Sequence, residues 1–140
     1  MDSLAEVLWF LVGGSAAGSI CNNTRMDREA LYKGIKLFNG SQFFEAHEVL
    51  EDVWRVAPAA ERKFLQGLIQ LAVGLHHYST GNVVGAQSLL ARAARNLSGY
   101  PADFAEIRLD ILRRAVFGWQ TALEHGVPPP PLPRLERTEC

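Results

Sequence analysis

The sequence predicts an all-α fold, a compact bundle of about five helices made of two helical hairpins and a closing helix. Three observations carry that expectation. Apolar residues recur at three- and four-residue steps from Asp27 onward, glycine and proline stand where those stripes end, and part of the pattern repeats at a shift of forty residues. With 140 residues, 48% of them hydrophobic and 21% charged, the chain is large enough for a single buried core and unlike a disordered one.

The elements follow in order. Ala30, Leu31, Ile35 and Phe38 form the first helical stripe, which Asn39-Gly40 stops. Ser41 is a good N-cap residue for a second helix over about 42–55, which Pro58 ends. Good helix formers run from Ala59 to about Thr80 before Gly81-Asn82, and a fourth helix over 83–98 precedes Gly99 and Pro101. The last helix is expected over 103–125, capped by Asp103 and stopped by Gly126. Pro128 to Pro131 and Pro133 exclude helix from the tail, whose stiff extended geometry suits a packing strap. The chain thus divides into an extra apolar N-terminal segment (1–25), an all-α domain (26–126) and a Pro-rich tail (127–140).

The repeat pairs Leu31, Gly34, Ile35 and Phe38 with Leu71, Gly74, Leu75 and Tyr78, and Ala46, Val49 and Leu50 with Ala86, Leu89 and Leu90. Each unit reads as two helices around a glycine turn, with a small residue where the pair must approach closely. That is the logic of tetratricopeptide-like hairpins, although those repeat at roughly 34 residues with a fuller signature. Two such units are too few for a long solenoid groove.

Charge and cysteine content exclude several classes. Fourteen basic residues against fifteen acidic ones leave a net charge of -1, without the basic surplus that phosphate contacts require, so no nucleic-acid partner is expected. Arg92, Arg95, Arg108, Arg113 and Arg114 read as ordinary solvated helix faces. Two cysteines, Cys21 and Cys140, make no disulfide framework and fit a reducing, cytoplasmic setting. The apolar stretch 4–20 lacks the basic leader of a signal peptide, and Ile20 occupies the position before Cys21 where a lipoprotein site needs a small residue. Broken by Gly13, Gly14 and Gly18, it is short for a membrane span. It reads as a docking helix or as sequence upstream of a true start at Met26, and no membrane is expected unless 4–20 is a genuine anchor.

On a wheel of about 100° per residue, Phe43, Ala46, Leu50, Val53 and Trp54 of the second helix face the core. His47 lies at the edge of that face with Glu51 one turn on and Glu48 just outside. The third helix is apolar almost all round from Phe64 to Leu75, yet Gln66, Gln70 and His77 share one stripe. Buried amides and imidazoles need partners, so these residues are expected to form a polar seam with His47, Glu48 and Glu51 between helices two and three. Two readings compete for the seam. In one it is a satisfied network, with His47 donating to Glu51 and Gln66 and Gln70 bridging the helices. In the other, His47, Glu48, Glu51 and His77 ligate a divalent metal, with Glu48 or Glu51 as base. Spacing weighs against the metal: Glu45-Ala46-His47 is one residue short of a di-iron motif, and His47-Glu48-Val49-Leu50-Glu51 lacks the second imidazole of a metalloprotease helix. His76 and His77 diverge on a helix, so only one can join His47. No nucleophile is placed beside a histidine and no phosphate-binding glycine loop is present. Trp54 reads as core. Arg55 and Arg62 flank the Pro58 turn, where they pair with Glu48, Glu51 or Asp52 or else receive an anionic ligand.

The same residues carry a family resemblance. The run from Phe43 through Glu45-Ala46-His47-Glu48 to Trp54, and the run from Phe64 through Gln66 and Gln70 to Ala72 followed by His76, His77, Gly81, Asn82 and Ala86, resemble the signature of the bacterial and plastid domain-of-unknown-function family 309. The resemblance covers about residues 27–125 and implies a compact all-α fold and no activity. It marks His47, Glu48, Glu51, Trp54, Gln66, Gln70 and His77 as signature positions, and it leaves the segment through Arg25 outside the pattern. The sequence therefore favours a non-catalytic helical binding or scaffold module without a cofactor, self-associating or bound to another protein. Its alternative is a hydrolase-like enzyme that uses a divalent metal at His47, Glu48, Glu51 and His77.

Overall fold

A computed structural model describes residues 25–138; the expectations for the apolar stretch 4–20 and for Cys21 and Cys140 lie outside the described residues. Five α-helices follow one another: α1 (Arg28–Asn39), α2 (Phe43–Arg55), α3 (Ala59–Ser79), α4 (Val83–Leu97) and α5 (Leu109–His125). Each packs on the next, and the described residues form no strand, only an isolated antiparallel bridge between Ile107 and Arg137. None of the described helices is long and apolar enough to cross a membrane.

The forty-residue repeat has a direct counterpart in packing. A Cβ on Gly34 of α1 would lie 2.9 Å from Leu50 Cδ2 and 3.5 Å from Val49 Cγ1 of α2. A Cβ on Gly74 of α3 would lie 3.2 Å from Leu89 Cβ and 3.6 Å from the Leu90 nitrogen of α4. Each glycine lets its hairpin close at the same register, which places Leu31, Leu50, Leu71 and Leu90 in the core with no exposed surface.

The turns repeat as well, and they correct one expectation. Ser41 does not cap α2; it adopts the left-handed conformation (φ 64°), the place that Gly81 (φ 90°) takes in the second hairpin. The Ser41 amide donates to Phe38 O and the Gly81 amide to Tyr78 O, at 2.9 and 3.0 Å, and the next amides, of Gln42 and Asn82, reach back to Leu37 O and His77 O. The N-cap position thereby falls one residue later. Asn82 fills it by accepting from the Gly85 amide at 2.9 Å, whereas Gln42 makes no side-chain cap bond.

The start of the last helix also differs. Residues Phe104–Glu106 form a short 3₁₀ turn in which Ala105 and Glu106 both have φ of 60°, so α5 begins at Leu109, not at Asp103. Burial decides this, because Ala105 and Glu106 are drawn into the interior and cannot serve as an exposed first turn. Arg113, expected on a solvated face, instead caps the end of α4: its guanidinium donates to Leu97 O at 3.0 and 2.6 Å and also to Tyr100 O.

The tail is a strap. Trp119 Nε1 donates to Pro131 O at 3.0 Å, and Leu135 is buried, 1% exposed. The Asn39 side chain pairs with both backbone groups of Leu135, at 3.1 and 2.8 Å. Arg108 N donates to Glu136 O and Thr138 N to Glu106 O, which ties the strap to the 3₁₀ turn.

Candidate functional site

One stripe of α2 and one of α3 face each other across the junction between the two hairpins. Glu51, Trp54 and Arg55 from α2 and Gln66, Ile69 and Gln70 from α3 line a cleft of about 360 Å³. Four of the seven signature residues thus meet in one place, but they do so in an open cleft and not as a buried seam. Gln66 and Glu48 are exposed, and His47, Gln70 and His77 are half-buried.

The hydrogen bonds run differently from the expected network. His47 Nδ1 lies 2.6 Å from Phe44 O on its own helix, so that nitrogen carries the hydrogen. Its Nε2 is 3.9 Å from Glu51 Oε2, too far for a hydrogen bond. Gln70 Oε1 accepts from Asn96 Nδ2 of α4 at 2.8 Å, so this amide bridges α3 to α4 and not to α2. His77 turns to the α3–α4 connection, its Nδ1 3.4 Å from Asn82 Nδ2. The imidazole that approaches α2 is that of His76, whose ring centroid stands 5.6 Å from the half-exposed Phe44 ring; Phe44 in turn lies 5.0 Å from His47. Among the described residues, no group of three or more His, Cys, Asp or Glu side chains is placed to hold a metal ion.

The cations at the other end divide sharply. Arg55 is committed to acids, with Nη1 2.5 Å from Asp52 Oδ1 and Nη2 4.0 Å from Glu51 Oε1. Arg62 has no carboxylate within ion-pair distance among the described residues. Its guanidinium carbon lies 4.6 Å from the centre of the Trp54 ring, and Nη2 donates to Arg55 O at 2.9 Å, where the α2 backbone ends. Two donors here are buried yet meet no acceptor among the described residues, Trp54 Nε1 and Arg62 Nε. Trp54, expected in the core, is instead half-buried: it packs against the core and lines the cleft, with its indole nitrogen buried.

Displaced titrations lie elsewhere. Burial pushes the Glu106 carboxyl up, but the Tyr32 hydroxyl and the Arg28 and Arg137 guanidiniums outweigh it and hold the group below its ordinary value. Tyr32 donates to Glu106 at 2.8 Å, Arg28 stands 2.5 Å away, and Arg137 lies over the Tyr32 ring at 3.9 Å. The hydrogen bond to Tyr32, opposed by partial burial and aided by Glu106, raises Arg28. Burial raises the Tyr100 hydroxyl, which donates to Ala60 O at 2.8 Å. The Glu106 cluster fastens the strap to α1, and neither it nor Tyr100 lines the cleft.

Comparison with known proteins places the cleft in a recognised unit. Residues 31–89 match the model of a family described as "Domain of unknown function (DUF309)". The chain is 39% identical over 69 residues to "Uncharacterized protein YpuF" of Bacillus subtilis (strain 168), a match covering 49% of this chain and 40% of the relative. It is 30% identical over 104 residues to an "Uncharacterized protein" of Aquifex aeolicus (strain VF5), covering 74% of this chain and 31% of that one. The chain thus spans less than half the length of each of these relatives. Every residue lining the cleft falls inside the family match; Asn96, Glu106 and the strap fall outside it.

Proposed function

We propose that this chain is a non-catalytic binding module and that the cleft between α2 and α3 is its recognition site. The observation that carries the reading is the convergence of Glu51 and Trp54 of one helix with Gln66 and Gln70 of the next on the walls of one open cleft. An aromatic body, two primary amides and a carboxylate within one concavity offer shape and orientation to a ligand. They offer no nucleophile paired with a base, and among the described residues no group of three or more His, Cys, Asp or Glu is assembled for a metal. Matches that cover less than half of each relative suit a module that works beside other segments. Self-association belongs to the same reading, with Val56, Val84 and Phe117 the most exposed of the large apolar side chains among the described residues.

A fragment screen followed by amide-nitrogen correlation NMR tests the site. Bound fragments are expected to perturb the signals of Glu51, Trp54, Gln66, Ile69 and Gln70 together. Perturbations that never include these residues, whatever else they include, defeat the proposal.

A further inference from the structure

Resting on the cleft as a binding site, we infer that it anchors a carboxylate, held between Trp54 Nε1 and Arg62 Nε. Three features point to that group. The two donors belong to one stacked pair, the Arg62 guanidinium lying 4.6 Å from the centre of the Trp54 ring, and both are buried without an acceptor among the described residues. A buried donor without a partner is costly, so two in one stacked pair mark a place where an acceptor is due. Charge then selects the kind of acceptor. Arg55 is neutralised by Asp52 and Glu51, but Arg62 is half-buried and its contacts are a carbonyl and an aromatic face. A single uncommitted guanidinium matches a single negative charge, whereas a phosphate dianion would need a second cation that the cleft has already spent on Asp52. Size agrees, because a cleft of about 360 Å³ floored by Ile69 accommodates an apolar group attached to the carboxylate.

Entry needs only a local movement. Arg62 is held by one hydrogen bond to Arg55 O and by its stacking on the indole. Swinging that side chain uncovers the indole N–H while the guanidinium stays within reach of the incoming group. Gln66 and Gln70 follow Arg62 on the same face of α3 at four-residue steps and flank whatever the carboxylate is attached to. Glu51 is the acidic group lining the cleft, and it lies beside Arg55 and His47. The carboxylate's source is either a small organic acid or the end of a peptide.

The test follows the indole N–H of Trp54 and the Nε–H of Arg62 in nitrogen-correlated NMR spectra of the full chain, assigned with Trp54→Phe and Arg62→Lys. The probes are N-acetyl-leucine, its uncharged amide, and acetyl-Ala-Ala-Ala-Leu with a free carboxyl end. Both acids are expected to shift the two signals saturably, with the amide at least about tenfold weaker. Tighter binding of the peptide assigns the source to a chain end, and equal binding to a small acid. Arg62→Gln should weaken the acids by about tenfold and leave the amide unchanged, with circular dichroism reporting the fold, and Trp54→Phe should weaken them while retaining ring and charge. Equal shifts from acid and amide overturn the carboxylate and leave the binding site standing. Acids that move neither signal overturn it as well, and the fragment screen then decides the cleft separately.

Discussion

Replacing Ser41 with glycine should stabilise this protein, although it removes a side chain and adds nothing. Ser41 holds φ of 64° in the turn between α1 and α2, where the second hairpin carries Gly81 at φ 90°. A left-handed conformation costs a residue with a Cβ about 1–2 kcal/mol. Glycine abolishes that cost but gives back about 0.4–1 kcal/mol through the greater freedom of the unfolded chain. The Ser41 side chain is exposed and caps nothing, so little else enters the difference. Ser41→Gly is therefore expected to gain about 0.5–1 kcal/mol, which raises the melting midpoint by about 2–6 °C for a domain of this size. The mirror change, Gly81→Ala, imposes on the second hairpin what the first already bears, and should lose about 1 kcal/mol. Thermal and urea unfolding followed by circular dichroism measure both. A Ser41→Gly midpoint at or below that of the parent refutes the strain argument, and so does a Gly81→Ala protein as stable as the parent.

Three further outcomes follow from the strap and the cleft. Glu106 has its folded carboxyl held below the ordinary value of 4.5, so its contribution to stability is whole above that value and is lost as pH falls through the lower folded value. Glu106→Gln should cost about 1–3 kcal/mol at pH 7, and urea midpoints should show the gap to the parent closing as the pH drops below 4. Leu135→Ala empties a fully enclosed position on the strap and should cost about 2–4 kcal/mol, with hydrogen exchange at the Thr138 and Arg108 amides rising before that of the helices. His47→Ala should cost under about 1 kcal/mol, because its ring bonds to its own helix and not across to α3; a loss several times larger in denaturant titration would restore the buried network.

The helices were legible because their determinants are local. Periodic apolar positions, Gly40, Pro58, Gly81 and Gly126 mark ends that the structure keeps, and the forty-residue shift places Gly34 and Gly74 at equivalent crossings. What failed to show in the sequence depended on distant chain. Ser41 is a good cap residue in isolation, but the turn geometry required a left-handed residue first. Asp103 looked like a helix start until Glu106, drawn onto Tyr32 and Arg28 seventy-four residues away in the case of Tyr32, set the intervening backbone. The wheel set Glu51 toward the Gln66 and Gln70 stripe but Trp54 on the core face, whereas all four line the cleft. It carried no information on how far apart the two helices stand, nor that α3 also meets α4, where Asn96 claims the Gln70 carbonyl. Of the adjacent imidazoles, His76 faces Phe44 and His77 does not, a difference decided by the rotation of α3 against α2.

The position of the cleft follows from where the glycines are. Gly34 admits Leu50 at the α1–α2 crossing, and on α3 both Gly67 and Gly74 face α4, a Cβ on Gly67 falling 2.7 Å from Leu97 Cγ. None of these close approaches belongs to the α2–α3 junction. There Trp54, Ile69 and Arg62 confront one another, and side chains of that bulk hold two helices apart where glycines would draw them together. Each hairpin therefore closes on a glycine, while the junction between the two is packed through larger side chains and leaves a cleft beside them. The tail reinforces this asymmetry, since it spans α1, α5 and the 3₁₀ turn through Asn39, Trp119 and Glu106 and lines no part of the cleft. A helical repeat closed by a strap elsewhere can keep a cleft open between its hairpins without loosening its core, which is the condition a recognition site at Trp54 and Arg62 requires.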